Sequence, residues 1–124
     1  MNRPVALAGA AMAGIGVGLG AFGAHALKTV LSAEALGWWQ TAVQYQMWHA
    51  IALVALGTGT FARPTVPALL LGGGASIFAA TLYAMALGAP HWLGAVTPIG
   101  GALMIAGWIC LAFRLIGPGE PEPR

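Results

Sequence analysis

PVALAGAAMAGIGVGLGAFGAHA, residues 4–26, is a run of 23 residues with a single ionisable side chain, His25. A bilayer's hydrocarbon core is about 30 Å thick, a distance crossed by about 20 helical residues. Within it every backbone N–H and C=O must be paired inside the structure, so a run of this length and polarity predicts a membrane-spanning helix. Three stretches of the same kind follow at residues 41–61, 67–87 and 98–116. The expected fold is all-α: a polytopic membrane protein, one domain over residues 1–124, with four transmembrane helices in a compact antiparallel bundle.

Composition agrees. Of the 124 residues 59% are hydrophobic and 6% charged, too few charges to clothe a soluble domain of this length. The net charge of +2 comes from five scattered basic residues rather than a patch or stripe, which argues against nucleic acid as a partner. Arg3, the apolar run and Ala24-His25-Ala26 imitate a secretory signal, but the run exceeds the usual 7–15-residue core of such signals by a wide margin, so a retained first span is expected. Cys110 lies inside the fourth stretch with no second cysteine to pair with, and reads as a packing residue.

Basic residues orient the chain. With the amino terminus in the cytoplasm, Arg3, Arg63, Arg114 and Arg124 lie inside and Lys28 lies outside. Trp38, Trp39 and Trp92 then fall at the outer boundary, where amphipathic rings favour the headgroup region. Pro4, Pro67 and Pro98 stand where first helical positions are expected, with Thr97 as a candidate N-cap. Ser32 is expected to cap a short lead-in containing Glu34, with a bend at Gly37 before the second span. The tail, residues 117–124, is rich in proline and glycine and is expected to be irregular.

The glycines of the first span are not a phosphate-binding loop, because no strand precedes them and no acid occurs before Glu34. At four-residue spacing they form two small-residue ridges, Ala10-Gly14-Gly18 and Gly16-Gly20-Ala24, suited to close helix approach. The third span repeats the device at Gly72-Ser76-Ala80. The fourth carries Gly100 and Gly107 on one face.

Polar side chains within spans are the best functional clue, since each needs a partner where there is no water. His25, Gln44, Tyr45, Gln46, His49, Tyr83 and Thr97 all count to the outer half of the membrane or its boundary. Two readings compete: hydrogen bonds between helices that hold the bundle together, or an outward-facing pocket for a headgroup, a quinone ring or a proton. The first is favoured because no acid lies in any span. His49 and Tyr45 are expected to meet His25 or Tyr83 in one connected network, with His49 about 12 Å deep. No histidine pairs at i, i+4 or stands beside a carboxylate, so neither metal nor haem is expected as a cofactor, and there is no Ser-His-acid set for catalysis.

GAFGAHAL (20–27), WQTAVQYQMWHAIAL (39–53), TLYAMAL (81–87) and LGAVTPIGGALMIAGW (93–108) together resemble the domain-of-unknown-function 423 family of small membrane proteins, and are similar to the eukaryotic transmembrane protein 256 family. The resemblance covers nearly the whole chain and keeps the motif order. It implies a four-span protein of the bacterial inner membrane and carries no established activity. Its motif positions fall on Gly23, His25, Gln44, Tyr45, His49, Tyr83, Thr97 and Pro98. The candidate polar cluster is accordingly His25, Gln44, Tyr45, His49, Tyr83 and Thr97. The expected role is a non-enzymatic accessory or assembly partner in the lipid bilayer, in contact with another membrane protein or a second copy. The alternative is a transporter-like protein that binds a lipid or small molecule in the outer pocket.

Overall fold

The computed structural model describes residues 1–117. They form four helices, α1 (Arg3–His25), α2 (Ala33–Thr58), α3 (Thr65–Ala86) and α4 (Thr97–Ile116), with a 3₁₀ turn at His91–Ala95 before α4 and no strand among the described residues. The expectation for the tail, and for Arg124 with it, lies outside the described residues.

Three segments, Arg3–His25, Thr65–Ala86 and His91–Ile116, are long and apolar enough to cross a membrane. α2 is long enough but not apolar enough, because it carries Gln40, Gln44, Gln46 and His49. It also starts well before residue 41. Ser32 caps it, its Oγ accepting from the Ala35 N–H at 3.1 Å. The lead-in then continues through Gly37 as one helix to Thr58, so the expected bend is absent.

Other ends also differ from expectation. Asn2 caps α1, its Oδ1 accepting from the Val5 N–H at 3.2 Å, with Pro4 in the first turn. α3 begins at Thr65, two residues before Pro67, because Pro64 already supplies the fixed φ of an N-cap. Thr97 is the first residue of α4 rather than its cap, and its hydroxyl points sideways instead. α3 ends in a Schellman motif: Gly88 takes φ +102°, the Gly88 N–H donates to Met85 O, and the Ala89 N–H donates to Ala84 O.

The seams follow a seven-residue repeat. On α2 the buried residues Ala35, Trp39, Ala42, Gln46, His49, Leu53 and Leu56 alternate in steps of four and three. α1 buries Gly9, Gly16 and Gly23, seven apart, and α4 buries Thr97, Gly100, Met104 and Gly107. A spacing averaging 3.5 residues keeps one narrow stripe facing its neighbour along the whole helix. Neighbours in sequence pack antiparallel, α1 on α2, α2 on α3 and α3 on α4, whereas α1 and α4 do not meet. The bundle is therefore open rather than compact, with α2 and α3 at its centre and α1 and α4 flanking them. Leu71 is fully buried at this centre, beside Leu53, Leu56 and Ala68.

The small-residue ridges need correction. A Cβ added at Gly14 or Gly18 would meet nothing within 4 Å, so the Ala10-Gly14-Gly18 ridge faces outward. Gly9, Gly16 and Gly23 make the contact: a Cβ at Gly9 would lie 2.7 Å from both Ala50 O and Val54 N. The period that matters is seven, since a stripe of period four drifts off the seam within two turns. On α3 only Gly72 of its expected ridge is buried, against Leu53; Gly74 makes the close approach to α4. Gly100 and Gly107 do share the packed face of α4.

Candidate functional site

The polar side chains in the core form three links and one short chain. Gln46, 7% exposed, spans three helices: its Nε2 donates to Met12 O of α1 at 2.8 Å, and its Oε1 accepts from the Tyr83 hydroxyl of α3 at 2.8 Å. A carbonyl can only accept, so the amide orientation is fixed and Tyr83 must be the donor. Trp39, 3% exposed, donates from Nε1 to Leu19 O at 2.9 Å.

These two links share a construction. Met12 stands four residues before Gly16, and Leu19 four before Gly23. A Cβ at Gly16 would lie 2.5 Å from Met47 Sδ and 3.4 Å from Gln46 Nε2; one at Gly23 would lie 2.5 Å from Trp39 Nε1. The missing side chain one turn on exposes each carbonyl to a donor from α2. Trp39 and Gln46 are themselves seven apart, so they meet the two openings in register.

His49, 4% exposed, has both ring nitrogens engaged. Nδ1 lies 2.7 Å from Tyr45 O on its own helix, and Nε2 accepts from Trp108 Nε1 of α4 at 3.0 Å. Indole N–H only donates, so Nε2 carries the lone pair and the neutral Nδ1–H tautomer is the one that makes both bonds. The Trp108 bond joins the seventeenth residue of α2 to the twelfth of α4, near mid-length of both helices. The fourth feature is the Thr81 and Thr97 pair, hydroxyl to hydroxyl at 2.7 Å between α3 and α4. Thr81 lies within reach of Ile77 O and Phe78 O, and Thr97 of Leu93 O; one hydroxyl donates to the other, which donates to its own helix or turn, so both are satisfied.

The six candidates thus divide. His49, Tyr83 and Thr97 bridge helices, each with a partner that lies outside the six: Trp108, Gln46 and Thr81. Tyr45 contributes its carbonyl to His49, and its ring packs on Phe78 with centroids 4.6 Å apart; no hydrogen bond of its hydroxyl occurs among the described residues. His25 and Gln44 are exposed and join no side-chain hydrogen bond among the described residues. The expected meeting of His49 with His25 or Tyr83 does not occur, because the 3.5-residue seam turns His49 toward α4 and Gln46 toward α1 and α3. Trp108 and Thr81 were missed for different reasons. Trp108 carries a single polar N–H on an otherwise apolar ring, and the Thr81 hydroxyl can bond back to its own helix, so neither demands an interhelical partner. Trp39 packs over Gly23 near the end of α1, and Trp38, half-buried, meets His91 edge-on at 5.5 Å.

No buried side-chain polar atom among the described residues lacks a partner. Two shallow hollows adjoin the network: one of about 300 Å³ beside Gln40 and Gln44 between α1 and α2, and one of about 260 Å³ between α1 and α3 next to Gln46 and Tyr83. No group of three or more His, Cys, Asp or Glu residues is placed to hold a metal among the described residues.

Residues 19–101 match the model of a family described as "Protein of unknown function (DUF423)". The chain belongs to this family. The match covers Trp39, Gln46, His49, Thr81, Tyr83 and Thr97, and stops short of Trp108. Among DUF423 relatives, a UPF0382 membrane protein of Haemophilus influenzae is 44% identical over 102 residues, covering 78% of this chain and 81% of that protein. The UPF0382 membrane protein SSP2132 of Staphylococcus saprophyticus is 44% identical over 106 residues, covering 83% and 88%. The UPF0382 inner membrane protein YgdD of Escherichia coli K12 is 37% identical over 105 residues, covering 82% and 78%. No solved structure matches the chain. The protein is therefore a DUF423 membrane protein, and its environment is the lipid bilayer.

Proposed function

We propose that this protein is a non-catalytic, four-span accessory or assembly partner of the bacterial inner membrane. The observation that carries the reading is the closure of the core network: its donors and acceptors are used in tying helices together, and the one buried imidazole has no free nitrogen. A proton path or a catalytic centre needs a group left available, commonly an acid or an unpaired cation. The bare ridge of Ala10, Gly14 and Gly18 on α1 supports contact with a further transmembrane helix, because small residues permit close approach.

α2 is the fourth span in this reading. It is antiparallel to both α1 and α3 and packed between them, so it crosses wherever they cross, and its length of 26 residues is about 39 Å. Its buried polar groups are paired within the bundle, which removes the main cost of their depth. Both termini are cytoplasmic: Arg3, Arg63 and Arg114 gather at one end of the bundle and Lys28 at the other.

Purification of the full chain from native membranes in mild detergent, with mass spectrometry of what is retained, tests the role. A stoichiometric membrane protein, lost in Gly14→Leu while the fold survives, is the expected result. Its absence, with a retained small molecule whose binding depends on Gln44 or Tyr83, would favour the transporter-like alternative. Topology is checked by thiol labelling in a Cys110→Ala background: Lys28→Cys should react from outside intact spheroplasts and Arg63→Cys should not.

A further inference from the structure

A second kind of unfilled feature is an apolar groove at the arginine-bearing end of α1 and α3. α1 and α3 both pack on α2 but scarcely on each other, and a groove of about 610 Å³ runs between them. Val5, Ala8 and Met12 form one wall, Gly72 and Gly73 belong to the other, and Leu53 is the floor. Ser76 lines it too, but its hydroxyl is turned into its own helix, donating to Gly72 O at 2.7 Å. The groove is therefore apolar along its length and polar only at one end, where Asn2 and Thr65 line it.

Those two residues also line a second hollow of about 390 Å³, which adds Phe61 and Arg63. Among the described residues the charges at this end are basic. Arg114 donates to the Arg63 carbonyl, and Arg3 opens α1 nearby. Among the described residues the one acid is Glu34, in the first turn of α2 at the opposite end; Glu120 and Glu122 lie outside those residues.

We infer that groove and hollow together hold one anionic phospholipid, with its phosphate beside Arg63, Asn2 and Thr65 and one acyl chain laid along the groove. Dimensions and charge both fit this occupant. From Thr65 to Ser76 the wall of α3 advances eleven residues, about 16 Å, which matches one leaflet of a hydrocarbon core about 30 Å thick. A guanidinium offers phosphate a planar fork of donors, and anionic lipid at a membrane surface attracts each nearby basic residue. The groove stays open at Gly73, where an added Cβ meets nothing within 4 Å.

The same absence of contact supplies the test. Gly73→Leu adds bulk at a lining position where a Cβ meets nothing within 4 Å, and Ala8→Leu adds it to the other wall if the first variant fails to fold. Full-length protein in mild detergent is titrated with phosphatidylglycerol or with phosphatidylcholine of the same acyl chains, and bound lipid is counted by native mass spectrometry. One phosphatidylglycerol should be retained per chain. Arg63→Gln should weaken it about fivefold, toward the phosphatidylcholine level, which is the size of one basic residue's attraction to an anionic surface. Gly73→Leu should abolish retention of both lipids, and Gly101→Leu, on α4 where an added Cβ also meets nothing, should change neither. Failure to retain either lipid overturns the proposal, as does phosphatidylglycerol binding unaffected by Gly73→Leu or Ala8→Leu, which would mean a headgroup held without a chain in the groove. Equal binding of the two lipids, or indifference to Arg63→Gln, overturns the anionic assignment. A polypeptide found in the groove in place of lipid does the same for the whole proposal.

Discussion

The α1–α2 and α3–α4 interfaces both depend on glycine, but for different reasons. Between α3 and α4 glycine brings backbones together: a Cβ at Gly74 would lie 2.7 Å from Gly100 O, and one at Gly100 would lie 2.6 Å from Gly74 O and from Phe78 N. The one side-chain hydrogen bond across that seam is between Thr81 and Thr97, near its end. Between α1 and α2 backbone closeness is confined to the Gly9 and Gly57 end. Toward the other end Gly16 and Gly23 give side chains of α2 access to carbonyls of α1. In lipid there is little hydrophobic gain from joining two helices, so close packing and hydrogen bonding carry association. The α3–α4 seam relies mainly on close packing, whereas the α1–α2 seam combines close packing at one end with hydrogen bonds toward the other.

The comparison ranks substitutions. The largest effect is expected at the backbone contact, where no side-chain movement can relieve the clash. Gly100→Leu should leave little monodisperse protein on size exclusion in mild detergent, a cost beyond the usual overpacking range of about 1–3 kcal/mol. A folded, unshifted Gly100→Leu protein would mean that α4 is held by something other than its glycine seam.

Gly23→Ala should come next. Its methyl would displace the Trp39 indole and lose the bond to Leu19 O, costing stability within that same range of about 1–3 kcal/mol and read as a lowered helix melting midpoint. Trp39→Phe in the same background sharpens the result. If the bond matters, Gly23→Ala should cost less once Trp39 is already gone.

A double-mutant cycle of Gln46→Leu with Tyr83→Phe should return a coupling of about 0.6–1.7 kcal/mol in detergent unfolding, as for other hydrogen bonds between transmembrane helices. His49→Leu with Trp108→Phe should fall in the same range. Zero coupling at both would reduce the network to packing alone. The smallest effect is expected at Gly14→Leu, which should leave the melting midpoint unchanged because the added side chain points away from the bundle.

Much of the architecture was legible along the chain. The first and third stretches are long and apolar and each opens on a proline, and α1 and α3 fall within two residues of their expected ends. The Ser32 cap and Glu34 were visible as a helix start, yet an amphipathic lead-in and a span merge into one helix whenever no residue between them breaks it, and Gly37 does not. The candidate site was legible as a list of residue types and not as pairs. Gln46, Tyr83 and His49 had to find partners, but the acceptors that satisfy Gln46 and His49 include the carbonyls of Met12 and Tyr45, which no side-chain pattern can announce.

The sequence by itself therefore determined the solvent, the helical class, the family and the need for polar groups within the spans to be paired. Those properties are sums over local segments: hydropathy over about 20 residues, caps over four, motif order over the chain. Only the tertiary structure decided which glycines pack, which way His49 faces and which carbonyls receive the donors of α2. Each of these depends on the rotation of one helix about its axis relative to its neighbour. A difference of one residue in the repeat, seven against eight, moves a side chain by about 100°, enough to exchange the seam for the lipid.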